Sequence, residues 1–139
     1  MNVKSTYKQE IIALLKSTIH GEHEIYLGYL FGSFIQNNEF HDIDVGIVVK
    51  NKNHISNALK YSLHLGTKLE KAVNYKWTID VKILNFTPPH FQFGVIKDGL
   101  LFFCRNEKFR ITYEKTITNL YLDFRETLLW HSRIILERT

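Results

Sequence analysis

The stretch Tyr29–Val49 (YLFGSFIQNNEFHDIDVGIVV) decides how this chain folds, because two apolar segments in it flank a short polar connection. A strand is predicted over Ile25–Phe31, and a second over Ile43–Val49. The connection begins with Gly32-Ser33, a turn signal, and continues through polar residues. The segment therefore predicts two strands joined by a short turn.

Acidic residues interrupt the predicted strands. Asp42 and Asp44 open the second strand, and residues two apart on a strand point to the same side. The chain has only five aspartates, and Asp80 interrupts another apolar run, WTIDVKIL over residues 77–84. Two carboxylates about 4 Å apart repel by roughly 4 kcal/mol at an effective dielectric near 20, and buried acids are costly unless a positive charge meets them. A hard divalent cation held by oxygen ligands would resolve this conflict.

Composition sets the class of protein. The 139 residues, 45% of them hydrophobic, suit one domain with a core. The net charge of +4 comes from scattered Lys and Arg, which suit an anionic small molecule, an acidic partner or RNA equally well. The single cysteine, Cys104, excludes an intramolecular disulfide, and its apolar neighbours indicate a packed thiol in a reducing compartment. No signal-peptide core or apolar run of about 18 residues is found, so a cytoplasmic protein is expected.

Apolar residues at helical spacing predict three helices. The first covers Tyr7–Ile19, and Ser5 or Thr6 can cap its start. The second runs from Ile55 to about Leu69, and the third is long, about residues 109–137. One apolar stripe on each of the last two is expected to pack on the domain. These stripes comprise Ile55, Leu59, Leu63 (or Ser62) and Leu69 in the second helix, and Tyr113, Ile117, Leu120, Phe124, Leu128 and Ile135 in the third.

The remaining segments complete the predicted domain. A third strand is expected over Thr78–Leu84, and it ends before Pro88-Pro89 because proline cannot continue a sheet. Residues 91–96 fit a helix and a strand equally well. The turn signal Asp98-Gly99 leads into a short apolar segment, Leu100–Cys104. With no linker, repeat or low-complexity tract, the pattern predicts one α/β domain with a C-terminal helix.

The order of these motifs resembles a known family. Gly32-Ser33, the Asp-x-Asp of Asp42 and Asp44, and Asp80 on a later strand are similar to the minimal nucleotidyltransferases of the DNA polymerase β superfamily. Residues 79–103 and the closing YEKTITNLYLDFRETLLWHSRIILE resemble the MntA-like antitoxin subgroup. The likeness covers the chain from about residue 25 onward. It implies a single nucleotidyltransferase domain over residues 1–139, with a small mixed sheet flanked by helices and a long C-terminal helix.

The resemblance also implies roles for the aspartates. Asp42 and Asp44 would hold magnesium, or manganese, against the triphosphate of ATP. Asp80 would help bind a second ion or take the proton from the attacking hydroxyl. All three are therefore the catalytic and metal-ligand candidates.

Three further residues are candidates for binding the nucleotide. Gly32 permits close approach of the backbone to a phosphate, since a Cβ there would obstruct it. Ser33 offers a hydroxyl and a backbone N–H at a helix N-terminus. Lys82, two residues after Asp80, points to the same face and can neutralise phosphate charge.

The implied activity is that of an antitoxin. Such a protein transfers AMP from ATP to a tyrosine of a cognate HEPN-domain RNase toxin and so silences it. The expected partners are this toxin and a nucleoside triphosphate, with no membrane and no direct nucleic acid binding. Two alternatives stay open: a catalytically degenerate module that neutralises the toxin by contact alone, and a transferase acting on a small molecule of the aminoglycoside kind.

The loop between the motif halves departs from the family pattern. The position after Ser33 is commonly arginine, but here it is Phe34, and the usual Arg-Gly that follows is also absent.

The roles of three other residues stay open. His41 is either a nucleotide contact or a solvent-facing residue, and Tyr121 and Trp130 belong either to a partner surface or to the core.

Overall fold

The computed structural model describes the backbone of residues 6–138 and the side chains of residues 6–133. Four strands are present in that part of the chain: β1 (Ile25–Phe31), β2 (Asp42–Val49), β3 (Thr78–Ile83) and β4 (Leu100–Cys104). They form one mixed sheet in the order β3-β2-β1-β4. β1 is antiparallel to β2 and β4, whereas β2 and β3 are parallel.

Helices connect and cover these strands: α1 (Thr6–His20), the one-turn α2 (Ser33–Gln36), α3 (Ala58–Ala72), α4 (Pro89–Asp98) and α5 (Glu107–Arg138). The predicted α/β fold with a long C-terminal helix is confirmed. Residues 91–96 are helical, and Pro89 occupies the first turn of α4, where its missing N–H costs nothing. β3 ends one residue before the predicted boundary because Leu84–Phe86 form a 3₁₀ turn. The predicted cap Ser5 lies outside the described residues.

The buried face of α3 is not the predicted one. The helix begins at Ala58, three residues later than expected, with Asn57 as its cap. Leu59 and Leu63 are 69% and 63% exposed, so their assignment to the buried stripe was wrong. The buried residues are Leu65, Gly66 and Leu69. This face is selected by close packing on β3, because a methyl group at Gly66 would lie only 3.3 Å from the carbonyl oxygen of Ile79.

Helices cover the two faces of the sheet unequally. On one face, residues of α1 and α3 form a common core with residues of all four strands. On the other, α4 and the first part of α5 pack over β1 and the end of β2. Burial along β3 therefore alternates: Ile79, Val81 and Ile83 are buried, whereas Thr78, Asp80 and Lys82 are exposed. The second face of β3 is open to solvent.

Helix α5 leaves the domain partway along its length. Ile117 is buried, and Tyr121 stacks on Phe93 with ring centroids 4.1 Å apart. Beyond Ile117 the expected stripe was wrong: Leu120, Phe124 and Leu128 are 47–51% exposed. The reason is length, since the 32 residues of α5 extend about 48 Å while the ten residues of α4 extend about 15 Å. The side chain of Ile135 lies outside the described residues.

A polar contact fixes the start of α5 to the sheet. The buried Tyr29 hydroxyl donates to Glu114 Oε2 at 2.6 Å, and Arg110 donates to the other oxygen of Glu114 at 2.9 Å. Burial and Glu114 raise the pKa of Tyr29 far above its ordinary value, so the tyrosine stays a donor. Within the described residues, no helix is long and apolar enough to cross a membrane.

Candidate active site

The catalytic candidates come together where β1 meets β2 and where β2 meets β3. In the antiparallel pairing of β1 with β2, Phe31 is opposite Asp44. In the parallel pairing of β2 with β3, Asp44 is opposite Asp80. Asp42 precedes Asp44 by two residues on the same face. The register therefore places Asp44 at the centre of the site, with Gly32 on one side and Asp80 on the other.

The turn at Gly32 is shaped around Asp44. A Cβ at Gly32 would lie 2.3 Å from Asp44 Oδ2, far inside contact distance. The backbone also has φ of +76°, a conformation that residues with a side chain rarely adopt. The sequence suggested that this glycine admits a phosphate. In the structure, the group that approaches it is the Asp44 carboxylate, so Gly32 lets that carboxylate lie directly over the turn.

The surroundings of Asp44 disfavour its charged form. Burial raises the pKa of the Asp44 carboxyl group above its ordinary value, and the carboxylates of Asp80 and Asp42 raise it further, while Lys82 lowers it. Lys82 Nζ lies 3.5 Å from Asp80 Oδ2, but these side chains are 44% and 55% exposed, so solvent weakens the pair. The acidic group formed by Asp42, Asp44 and Asp80 therefore carries more negative charge than Lys82 compensates.

Burial differs among the three aspartates. The apolar runs suggested that all of them are at least half-buried, but only Asp44 is. Asp42 is exposed at the first residue of β2, and Asp80 is exposed on the open face of β3. The cost of burying a carboxylate therefore falls on Asp44, while its neighbours contribute repulsion.

The chemistry of the site fits a hard divalent cation, since carboxylate oxygens are the ligands that Mg²⁺ prefers. Uncompensated negative charge around Asp44 also favours a cation. Among the residues whose side chains are described, no three His, Cys, Asp or Glu groups are already gathered tightly enough to hold a metal ion. The aspartates thus share one edge of the sheet as potential ligands without forming a preassembled metal site.

The two other nucleotide-binding candidates border this acidic group. Ser33 follows Gly32 on one side of Asp44, opens α2 and is half-buried. Lys82 follows Asp80 on the other side and is exposed. Lys82 contacts Asp80, whereas Ser33 is next in sequence to the Gly32 that borders Asp44. Contact of either residue with a nucleotide stays a prediction.

A groove of about 450 Å³ opens beside Asp80, between α3 and β3. Asp80 and Lys82 contribute to its wall, together with the exposed apolar side chains Leu59, Leu63 and Phe86. Its volume lies within the usual range for ligand sites. Neither Gly32 nor Asp44 lines it, so the groove extends away from the acidic group along β3.

The loop between the two halves of the motif begins in the core. Phe34 and Ile35 are 0% and 4% exposed, and Phe34 takes the position where the family that the sequence resembles commonly has arginine. Phe34 packs edge-to-face on Phe40, with ring centroids 4.7 Å apart. His41, at the other end of the loop, is exposed. The departure from the family pattern therefore reflects a loop that is anchored inward.

One residue of the site region was missed by sequence reasoning. Lys8 is only 6% exposed, and its Nζ donates hydrogen bonds to the carbonyl oxygens of Phe34 and Asn37 at 2.5 Å each. Helical spacing could have revealed it, because Lys8 precedes Ile11 by three residues and Leu15 by seven, on the buried face of α1.

The sequence profile of the family described as "Polymerase beta, Nucleotidyltransferase" matches residues 9–108. That range contains all six candidate residues of the site. No curated protein matches the chain.

Solved structures share the fold at low sequence identity. One is a toxin–antitoxin complex with AMP-PNP, with a TM-score of 0.67 and 18% identity, covering 93% of this chain and 98% of the matched chain. Another is an MNT antitoxin with a tri-AMPylated HEPN toxin from Shewanella oneidensis, with a TM-score of 0.63, 18% identity and coverages of 93% and 95%. A third is the MntA-HepT toxin–antitoxin complex, with a TM-score of 0.63, 16% identity and coverages of 93% and 96%. At these identities the likeness establishes the fold alone.

Proposed function

The chain belongs to the polymerase beta nucleotidyltransferase family, and from this premise we propose that it is an antitoxin that transfers AMP from ATP to a tyrosine of a cognate HEPN-domain toxin. The observation that carries the proposal is the pairing of Asp44 with Asp80 directly beside the Gly32-Ser33 turn. The solved structures named as toxin–antitoxin complexes, one of them with an AMPylated HEPN toxin, support the choice of a HEPN toxin as the acceptor protein.

In the proposed reaction the tyrosine oxygen attacks the α-phosphorus of ATP. A bond forms between that oxygen and the phosphorus, the bond from the phosphorus to the bridging oxygen breaks, and pyrophosphate leaves. Asp80 is the base that receives the tyrosine proton, because its carboxylate is exposed on the open face of β3 and the residue is paired with Asp44. Lys82 lies beside it as a positive group for phosphate charge.

Magnesium or manganese, when bound, would neutralise charge on the triphosphate, and Asp42, Asp44 and Asp80 are the residues that would hold it. Negative charge concentrated around Asp44 in the free protein prepares this site for a cation. Gly32 contributes by admitting the Asp44 carboxylate close to the turn that also carries Ser33.

The toxin is assigned to the part of α5 that follows Ile117. This part carries exposed apolar side chains, each 43–59% exposed: Leu120, Leu122, Phe124, Leu128, Leu129 and Trp130. Exposed apolar side chains in this number are typical of a protein interface, where aromatic residues such as Phe124 and Trp130 are enriched. The groove at Asp80 then receives the segment of the toxin that contains the acceptor tyrosine.

Transfer from α-labelled ATP to the HEPN toxin encoded by a neighbouring gene tests the proposal. Label should appear on the toxin and should be lost in Asp42→Ala, Asp44→Ala and Asp80→Ala. It should be retained in two matched controls. His41→Ala alters an exposed loop residue, and Cys104→Ala removes a thiol whose pKa is raised by burial and by its hydrogen bond to Glu107. Label on the toxin when all three aspartates are alanine would rule out the mechanism.

A second candidate function is neutralisation by contact alone. It is favoured by the buried Phe34 in place of the family's arginine and by the lack of a preassembled three-ligand group among the described side chains. In that case the unchanged protein would inhibit the toxin without labelling it, and the triple aspartate variant would inhibit it equally well.

A further inference from the structure

Lys8 is a buried cation whose interactions are confined to one loop. It is 6% exposed, and its Nζ lies 2.5 Å from the carbonyl oxygens of both Phe34 and Asn37. Among residues 6–133, no carboxylate lies within 4.0 Å of Nζ. A buried charge is expensive unless hydrogen bonds compensate it. Here the compensation comes from backbone carbonyls, so the position of the charge and that of the loop depend on each other.

The two carbonyls belong to the C-terminal end of α2. Inside this single turn, the carbonyl of Gly32 accepts the amides of Ile35 and Gln36, and that of Ser33 accepts the amide of Asn37. The carbonyls at the end of a helix are left without such partners, and a cation is favourable there. Lys8 therefore caps α2 at the end opposite the Gly32 turn.

Lys8 also contacts the aromatic side chains of the same loop. Its Nζ lies 5.2 Å from the ring centroid of Phe34 and 5.3 Å from that of Phe40, both within cation–π range. Phe40 in turn packs on Trp77, with centroids 5.7 Å apart. One side chain of α1 thus holds the start, the middle and the end of the loop.

We propose that Lys8 is a positioning residue for nucleotide transfer, an inference that rests on the proposed function. The loop it holds follows Gly32-Ser33 and precedes Asp42, so it connects the two halves of the motif around Asp44. Without the cation, two carbonyls at the end of α2 lose their donor and the aromatic packing loses its centre. Ser33, at the start of α2, then loses its fixed position relative to Asp44 in β2.

Steady-state transfer from ATP to the toxin tests the proposal in Lys8→Met, which keeps the side-chain length but removes the charge and the donors. We expect kcat/KM for ATP to fall at least tenfold at a temperature well below unfolding. The matched control is Ile19→Ala, a fully buried position of the same helix that lies eleven residues after Lys8, about 16 Å further along the helix axis. It should lower the Tm yet change kcat/KM less than twofold. Lys8→Arg, which keeps the charge and the donors, should stay within about threefold of the parent.

Amide hydrogen exchange supplies a readout independent of transfer. The amides of Gln36 and Asn37 should exchange at least tenfold faster in Lys8→Met, while the amides of α3 keep their protection. If Lys8→Met does not fold, Lys8→Gln takes its place in both measurements. Unchanged kcat/KM and unchanged exchange in a folded variant would overturn the inference, as would an equal loss of kcat/KM in Ile19→Ala. A parent that transfers no AMP would instead refute the proposed function, and exchange alone would then decide whether Lys8 holds the loop.

Discussion

Asp44 of β2 and Asp80 of β3 are direct partners in the parallel register, and Asp80 lies on the face of β3 that is open to solvent. Their mutual repulsion adds to the burial of Asp44 and raises the pKa of its carboxyl group. The same pairing therefore destabilises the folded protein when no cation is bound, and it favours the binding of a cation.

Replacing Asp44 by asparagine should raise the Tm of the free protein at neutral pH by a few degrees. The pKa of Asp44 is higher in the folded protein than its ordinary value of 3.8. Ionisation therefore weakens folding, fully above the folded pKa and not at all below 3.8. The gain in Asp44→Asn should accordingly shrink as the pH falls toward 4, which thermal melts at several pH values would show. The exposed Asp123→Asn is the control and should show no such trend.

The same variant separates stability from ligand binding. Magnesium with ATP should raise the Tm of the parent, because a ligand that binds only the folded state stabilises it. Asp44→Asn should lose this rise even though it starts from a higher Tm. An equal rise in both proteins would show that Asp44 does not help to hold the metal–nucleotide pair.

Replacing Gly32 by alanine should destabilise the protein and abolish transfer. The Gly32 backbone, with φ 76° and ψ −154°, lies in a region used almost only by glycine, so a residue with a Cβ there costs about 1–3 kcal/mol. The added methyl group must also displace the Asp44 carboxylate, which would lie 2.3 Å from it. Gly94→Ala is the control: nothing lies within 4 Å of an added Cβ there, so it should gain up to about 1 kcal/mol in helix α4. Chemical denaturation measures the stability of both variants, and labelling of the toxin measures transfer. A Gly32→Ala protein with parental stability and transfer would contradict the assigned geometry.

Three substitutions in α5 should separate core from interface. Ile117→Ala, at a position 7% exposed, should cost about 2–5 kcal/mol of unfolding free energy through a cavity. Phe124→Ala and Trp130→Ala, 51% and 58% exposed, should change stability by less than about 1 kcal/mol and weaken toxin binding by about 2 kcal/mol or more. Denaturant melts and a binding titration measure the two effects. Parental toxin affinity in both exposed variants would place the partner elsewhere.

Local pattern predicted most element boundaries and failed on burial. β1 begins and ends at the predicted residues, and the long C-terminal helix was identified from its spacing. The pattern did not show which side chains would be buried, as in Leu59 on α3 and Phe124 on α5. Helical spacing says which residues share a face, but burial depends on whether another element is long enough and close enough to cover that face.

The sequence alone determined which functional groups are present: a Gly-Ser turn, three aspartates and a lysine in the order of a nucleotidyltransferase. Only the tertiary structure decided how they meet. The register of β2 and β3 places Asp44 opposite Asp80. A glycine is required at position 32 because the Asp44 carboxylate occupies the space that a Cβ would need. Lys8 of α1 holds the loop that connects Gly32-Ser33 to Asp42. Each of these relationships joins residues that are separated in the chain. Local sequence does not determine them, because strand register and the hydrogen-bond partners of a buried charge are set by packing across the whole fold.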